Sequence, residues 1–349
     1  MRVVIAAGGT AGHVVPALAV ADALRAEGVD VRFVGGERAE RELVPAAGYE
    51  IDSLSVEGLS RTNPLRAARA VVKAVGAVAH SVRLLRGLRP DAVMGGGGYV
   101  AGPVGLAAVL LRIPLVLTEA DSHLGLANRL LAPFARQVCL AFPIAGRDGK
   151  RYRVTGRPVP APCNDRAAAR AGLGIGAEET CVLVFGGSLG ARRINEAAVE
   201  AFADAPFRVL HASGTRDYED LAARLGSPPP GNYDLRPFIA PFGPALAASD
   251  LVVARAGGSI FEVAAHGRPA LLVPYPHATA DHQAANARWM AEGGAAIVVA
   301  DAELTPQRLA HEVADLLHDR TRLAAMARAS AELARPDAAR EVAGALMHH

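Results

Sequence analysis

The sequence predicts an α/β protein in which two doubly wound parallel sheets face one another. Three observations carry that expectation. Short apolar, β-branched runs alternate with Ala- and Leu-rich stretches of helical length along the chain. Both halves open alike, as strand, glycine turn and helix: Val3 to His13 ends in GGTAGH, and Cys181 to Ala191 ends in GGSLGA. Between the halves, TGRPVPAPCND brings Pro158, Pro160 and Pro162 close together, as a linker would.

Taken in order, strands are expected near 2–7, 30–35, 49–55, 91–95, 114–119, 137–142 and 151–155 in the first half. In the second they fall near 181–186, 207–213, 233–238, 250–254, 269–274 and 295–300. Pro16 to Leu24 carries apolar residues at helical spacing, so the glycines before it form a strand-to-helix turn. The predicted domains are 1–158 and 159–334, with a C-terminal helix in 335–349 expected to pack back on the first. In open sheets of this kind ligands sit outside the carboxyl ends of the strands, which directs attention to a cleft between the halves.

With 349 residues and 51% hydrophobic content the chain can bury two cores. Its 37 basic and 35 acidic residues leave a net charge of +2, which argues against nucleic-acid binding by bulk electrostatics. Cys139, Cys163 and Cys181 are odd in number and lack C-x-x-C spacing, so neither a disulfide framework nor a zinc site is expected, and a reducing compartment fits. A strand beginning at Arg2 leaves no room for a secretory signal. Arg112 interrupts the apolar runs Val104 to Leu111 and Ile113 to Leu117, so no membrane span is expected, although the chain can lie on a membrane.

Three glycine turns follow strands: Gly8 to Gly12, GGGGYVAGP from Gly95 to Pro103, and Gly186 to Gly190 with Ser188 inside it. Neither G-x-G-x-x-G nor a Walker loop fits the first. Glycine there either tightens the turn or lets the backbone approach an anion that the following helix N-terminus attracts. Together the turns suggest a phosphate-rich donor and a phosphate-bearing acceptor. In ARAGGSIFEVAAHGRPALLVPYPHATADHQAANA, Glu262 stands in the first turn of a helix after Gly257-Gly258. A carboxylate there either complements the helix dipole or accepts bonds from two ribose hydroxyls. His277, Asp281 and His282 lack a strong metal spacing and read better as a polar rim.

At this point the chain resembles the MurG N-acetylglucosaminyl transferases of peptidoglycan synthesis. The motifs are GGTAGHVVPALAVADAL, GGGGYVAGP, GLANRLLA, TGRPV, FGGSLGARRIN, RPFIAPF, RAGGSIFEVAAHGRPALLVPYP and DHQAANA, in family order over nearly the whole chain. The resemblance implies the GT-B fold, with two Rossmann-like domains, and UDP-N-acetylglucosamine (UDP-GlcNAc) in the second half. There the Ile239 backbone would lie near uracil, Glu262 on the ribose, Ser188 with the turn of Gly258 and Ser259 at the diphosphate, and Gln283 on the sugar hydroxyls. Asn128 would reach the donor sugar, and Thr10 and Gly12 would lie within reach of the donor. Gly9, Thr10, His13, Gly97, Gly98 and Tyr99 would meet the diphosphate-bearing acceptor, lipid I. His13 matches the family's candidate catalytic residue, and its imidazole suits either a general base or a phosphate ligand.

The implied reaction is an inverting transfer: the 4-hydroxyl of the muramyl sugar attacks the anomeric carbon as UDP leaves. Backbone N–H groups and helix N-termini would steady the diphosphate, and no cofactor or metal is expected. The chain departs from the family at Arg157 and Pro160, where GNPVR carries Asn and Arg, at Ala120-Asp121-Ser122, and at Leu189 in place of Gln. A related transferase acting on a soluble natural product, a UDP-sugar epimerase and a silent sugar-nucleotide-binding module remain alternatives.

Finally, Arg61 to Pro90 holds Arg61, Arg66, Arg69, Lys73, Arg83, Arg86 and Arg89 without one Asp or Glu, interleaved with Leu and Val. It reads either as a helix with solvated arginines or as a surface for anionic lipid. The resemblance implies peripheral docking on the cytoplasmic face of the cell membrane and points to cell-wall and division machinery as partners.

Overall fold

The computed structural model describes residues 1–54, 64–121, 123–187, 190–278 and 281–348, with the backbone alone over 64–74. Arg61, Ser122, Ser188 and Leu189 lie outside these residues, as do the side chains of Arg66, Arg69 and Lys73. The chain divides into two compact units, Met1–Pro160 with Arg335–His349, and Ala161–Ala334.

The first unit runs β1 (Arg2–Ala6), α1 (Ala11–Ala26), β2 (Asp30–Gly35), α2 (Ala39–Ala46), β3 (Glu50–Ser53), α3 (Pro64–Leu88), β4 (Ala92–Gly95), α4 (Gly98–Leu110), β5 (Leu115–Glu119), α5 (Leu126–Leu131), β6 (Gln137–Leu140) and β7 (Tyr152–Val154). Its sheet has the order β3-β2-β1-β4-β5-β6-β7, every pair parallel. A parallel strand covered on both faces must be apolar on both, which is why β1 reads Val3-Val4-Ile5 without alternation, each fully buried. Val3 and Ile5 pack with Val20 and Leu24 of α1 and with Val342 and Leu346 of the C-terminal helix Ala338–Met347. Val4 and Ala6 face Val100 and Val104 of α4.

The second unit runs α6 (Arg166–Gly172), β8 (Cys181–Phe185), α7 (Arg192–Phe202), β9 (Arg208–Ala212), α8 (Tyr218–Leu225), β10 (Tyr233–Arg236), α9 (Phe242–Ala248), β11 (Leu251–Ala254), α10 (Ile260–Ala265), β12 (Ala270–Leu272), α11 (His282–Glu292), β13 (Ala296–Val298), α12 (Pro306–His318) and α13 (Arg320–Leu333). Its parallel sheet has the order β10-β9-β8-β11-β12-β13. Both sheets therefore reverse direction next to their first strand. The switch points lie between β1 and β4 and between β8 and β11, where the crossovers leave to opposite sides and the carboxyl ends stay open to a ligand.

The glycine turns are shorter than the sequence suggests. The first helix starts at Ala11, not Pro16, with Thr10 as its N-cap residue. Of Gly95 to Pro103 only Gly96 and Gly97 form the turn, and Gly98 to Pro103 already belong to α4. Tight burial outweighs the roughly 1 kcal/mol that each glycine costs a helix. A Cβ at Gly105 would lie 2.6 Å from Leu131, so this glycine lets α4 and α5 approach.

Candidate active site

Each switch point is flanked by two glycine-bearing turns: those after β1 and β4 in the first unit, and those after β8 and β11 in the second. In the first unit a cavity of about 190 Å3 opens there, lined in part by His13, Gly97, Gly98, Glu119, Asn128 and Arg157.

His13 stands in the first turn of α1. Its Nδ1 lies 3.4 Å from the Thr10 hydroxyl. A Cβ at Gly97 would come within 2.6 Å of the imidazole, and one at Gly98 would collide with the Gly8 carbonyl. Both glycines also hold positive φ, +92° and +75°, a region costly to other residues. They bring the second turn against the first. Burial above all, and then the Arg157 charge, lower the His13 pKa from its ordinary value, while Asp121 and Glu40 pull it up. The imidazole is thus poised in its neutral, proton-accepting form.

In the sequence Arg157 is only a departure from GNPVR. Its guanidinium donates to the carbonyl of Gly12. In α1 that carbonyl would bond the amide four residues on, but residue 16 is a proline with no N–H, and Arg157 takes the position.

Asn128, at 6% exposure, is turned inward. Its Nδ2 donates to the Thr118 carbonyl at 3.0 Å and to Glu119 Oε2 at 2.9 Å. Glu119 also accepts the amides of Gly125 at 2.8 Å and Asp121 at 3.2 Å, so one carboxylate ties down the segment after β5. Sequence reading passed over Glu119 and Glu40. Glu40 accepts from the Gly9 amide, the Gly36 amide and the Tyr99 hydroxyl.

In the second unit Gly187 and Gly190 hold φ of +93° and +73°, and a Cβ at Gly190 would collide with the Ser213 carbonyl. Asn195 Nδ2 donates to that same carbonyl at 2.8 Å, which fastens the turn to the end of β9. Glu262 is half-buried in the first turn of α10, with Ser259 as the N-cap residue and Gly258 just before it. Gln283 accepts the Tyr275 amide through Oε1 at 2.9 Å, while its Nε2 lies beside Gly257. Gln283 therefore links the loop after β12 to the turn before α10. Ile239 is buried just beyond β10, next to Phe238, which is 57% exposed. Arg255, just past β11, donates to the Val273 and Pro274 carbonyls beyond β12 and pairs with Asp301 at 2.5 Å. Among the described residues no three His, Cys, Asp or Glu side chains gather as a metal ion would require.

A model of the glycosyltransferase family 28 N-terminal domain matches residues 3–140, and one of the family's C-terminal domain matches residues 181–342. The UDP-N-acetylglucosamine--N-acetylmuramyl-(pentapeptide) pyrophosphoryl-undecaprenol N-acetylglucosamine transferase of Moorella thermoacetica is 42% identical, over 97% of this chain and 96% of its own. The crystal structure of Acinetobacter baumannii MurG is 31% identical and superposes with a TM-score of 0.77 over the whole of both chains. A calicheamicin glycosyltransferase, 22% identical, superposes with a TM-score of 0.69 over 99% of this chain and 98% of its own, and shares the fold. With both family domains matched in order and such relatives aligned end to end, the chain belongs to glycosyltransferase family 28 and, within it, to the MurG transferases.

Proposed function

We propose that this protein moves N-acetylglucosamine from UDP-GlcNAc to the 4-hydroxyl of the muramyl sugar of lipid I, yielding lipid II for peptidoglycan synthesis. The observation that carries the reading is the pairing of glycine turns at both switch points, in a chain 42% identical to transferases named for this donor and acceptor. Relatives of that identity favour it over a natural-product transferase or an epimerase, which the chain resembles in fold.

In this reading the acceptor oxygen forms its bond to the anomeric carbon as the bond from that carbon to the diphosphate oxygen breaks, with inversion. UDP carries away the electron pair. His13, kept neutral, takes the proton from the 4-hydroxyl. The turns at Gly9, Thr10 and Gly12 and at Gly97, Gly98 and Tyr99 receive the acceptor diphosphate. In the second unit Glu262 holds the ribose hydroxyls, Gly258 and Ser259 with Ser188 the diphosphate, Ile239 the uracil and Gln283 the sugar. Well-aimed backbone donors of this kind each contribute about 3 to 4 kcal/mol to transition-state stabilisation. No helix among the described residues is long and apolar enough to cross a membrane, and peripheral docking on the cytoplasmic leaflet is part of the proposal.

The test is a UDP-release assay with and without a polyprenyl-diphosphate muramyl acceptor. Release is expected only with the acceptor and with glycosylated lipid as co-product. Release that is equal without it would point to hydrolysis or epimerisation and overturn the reading.

A further inference from the structure

Glu40 enters the fold unexpectedly. An acidic residue in the first turn of a short helix ordinarily faces solvent and complements the dipole. At the start of α2, Glu40 instead points inward and is fully buried. Its entry depends on missing side chains: a Cβ at Gly35 would lie 2.7 Å from Glu40 Cγ, and one at Gly8 would lie 2.9 Å from Oε1.

Inside, the carboxylate collects donors from separate segments. Oε2 accepts the Gly9 amide at 2.8 Å. Oε1 accepts the Gly36 amide at 2.8 Å and the Tyr99 hydroxyl at 2.9 Å. Gly9 belongs to the turn after β1, Gly36 directly follows β2 and Tyr99 belongs to the start of α4. The Tyr99 ring then lies alongside Gly9, with Arg38 stacked over it 5.2 Å from the centroid. Burial pulls the carboxyl pKa up, but the Gly9 amide, its own amide, the Tyr99 hydroxyl and the Gly36 amide outweigh it and hold the group below its ordinary value. The acid is ionised and acts purely as an acceptor.

We infer that Glu40 is a positioning residue for acceptor recognition: its buried carboxylate clamps the turn that leads into the helix of His13 to the helix start that carries Tyr99. Glu40 touches no ligand itself. The inference rests on the reading that the first unit handles the acceptor. It also assigns Tyr99 a role through its ring, since its hydroxyl is spent on Glu40.

Glu40→Gln tests it. The amide keeps the shape but must aim an N–H at Gly9 or at the Gly36–Tyr99 pair, where donors already stand. The expected result is a rise of tenfold or more in KM for the lipid-linked acceptor, with UDP affinity by calorimetry within twofold of wild type. Faster amide exchange is expected in the peptide spanning Gly8 to Thr10. A purely structural role would lower kcat through lost active protein and leave the acceptor KM alone. An unchanged acceptor KM in the folded variant overturns the inference. If wild type transfers no sugar, the functional reading fails, and the exchange of Gly8 to Thr10 alone judges the clamp: no change overturns it. Should the Gln variant not fold, Glu40→Asp, charged but one methylene short, carries the same expectations.

Discussion

The Arg157 guanidinium donates to the Gly12 carbonyl, across 145 residues of sequence, at the one α1 acceptor that Pro16 leaves without an amide. The cation is thereby held one residue from His13, where its charge adds to burial in lowering the imidazole pKa. A proline that weakens a helix and an arginine that departs from the family pattern form one feature.

Arg157→Gln keeps a donor for Gly12 but removes the charge. The neutral imidazole is the form that accepts a proton, so turnover falls as pH drops through the His13 pKa. Without the cation that pKa rises, and the acid limb of kcat/KM moves to higher pH. His13→Ala is expected to lower kcat by a factor on the order of 10² with UDP affinity unchanged. A limb that stays in place in Arg157→Gln would show that its charge is not felt at His13.

Glu262 stands in the first turn of α10, four residues after Gly258. Charge-assisted hydrogen bonds to the ribose are worth about 1.5 to 3 kcal/mol each, so Glu262→Ala should weaken UDP binding at least tenfold. Calorimetric titration reads this directly. Unchanged affinity in a folded variant would take Glu262 out of the donor site.

What was legible in the sequence follows from the range of the forces involved. The central strands of both sheets could be read from runs such as Val3-Val4-Ile5 or Cys181 to Phe185, apolar on both faces, whereas edge strands such as β3 and β10 carry polar residues. Local pattern could not reveal that Gly98 to Pro103 are helical, because the burial of α4 against its neighbours decides that. The glycine turns of the candidate site declared themselves, since a missing Cβ is visible in sequence. Glu40 and Glu119 did not, because their partners are mostly backbone amides, which carry no sequence signature. Arg157 stood out as unusual, yet its partner is a carbonyl freed by a distant proline.

His211 gives the second unit an acid-sensitive core. It is fully buried, with Nδ1 2.8 Å from the Tyr233 hydroxyl and Nε2 3.0 Å from Asn195 Oδ1. Asn195 spends its Nδ2 on the Ser213 carbonyl and Asp217, so its Oδ1 must accept; this assigns the proton to Nε2 and leaves Nδ1 to accept from Tyr233. Burial pushes the His211 pKa down to about 3. The unfolded chain takes up that proton near the ordinary pKa of about 6.5. The contribution of neutral His211 to stability is therefore complete above about 6.5 and lost as pH falls from there towards 3. Urea unfolding midpoints are expected to decline across that interval in wild type and less steeply in His211→Gln. Parallel profiles would mean that another group carries the acid sensitivity.

No helix among the described residues is long and apolar enough to cross a membrane, yet the acceptor of the proposed reaction is lipid-linked. On α3, Arg83 and Arg86 are exposed, and Val75 is 67% exposed. The neighbouring α4 adds Leu110 at 62% exposure. Solvated arginines on a helix that packs its valines inward would explain part of this. They would not explain large apolar residues left in water beside a stretch, Arg61 to Pro90, that has no acid at all. Each basic residue beside an anionic leaflet is worth about 1 kcal/mol, and exposed apolar side chains can enter the interface, so several together hold a protein there reversibly. The protein is expected to co-sediment with vesicles rich in anionic lipid, less so as salt screens the surface. Arg83→Glu with Arg86→Glu should lower turnover on the lipid-linked acceptor and spare a short-chain soluble analogue, because the chemistry is untouched and only delivery is impaired. Equal loss on both acceptors, or vesicle binding indifferent to salt, would remove this face as the docking surface.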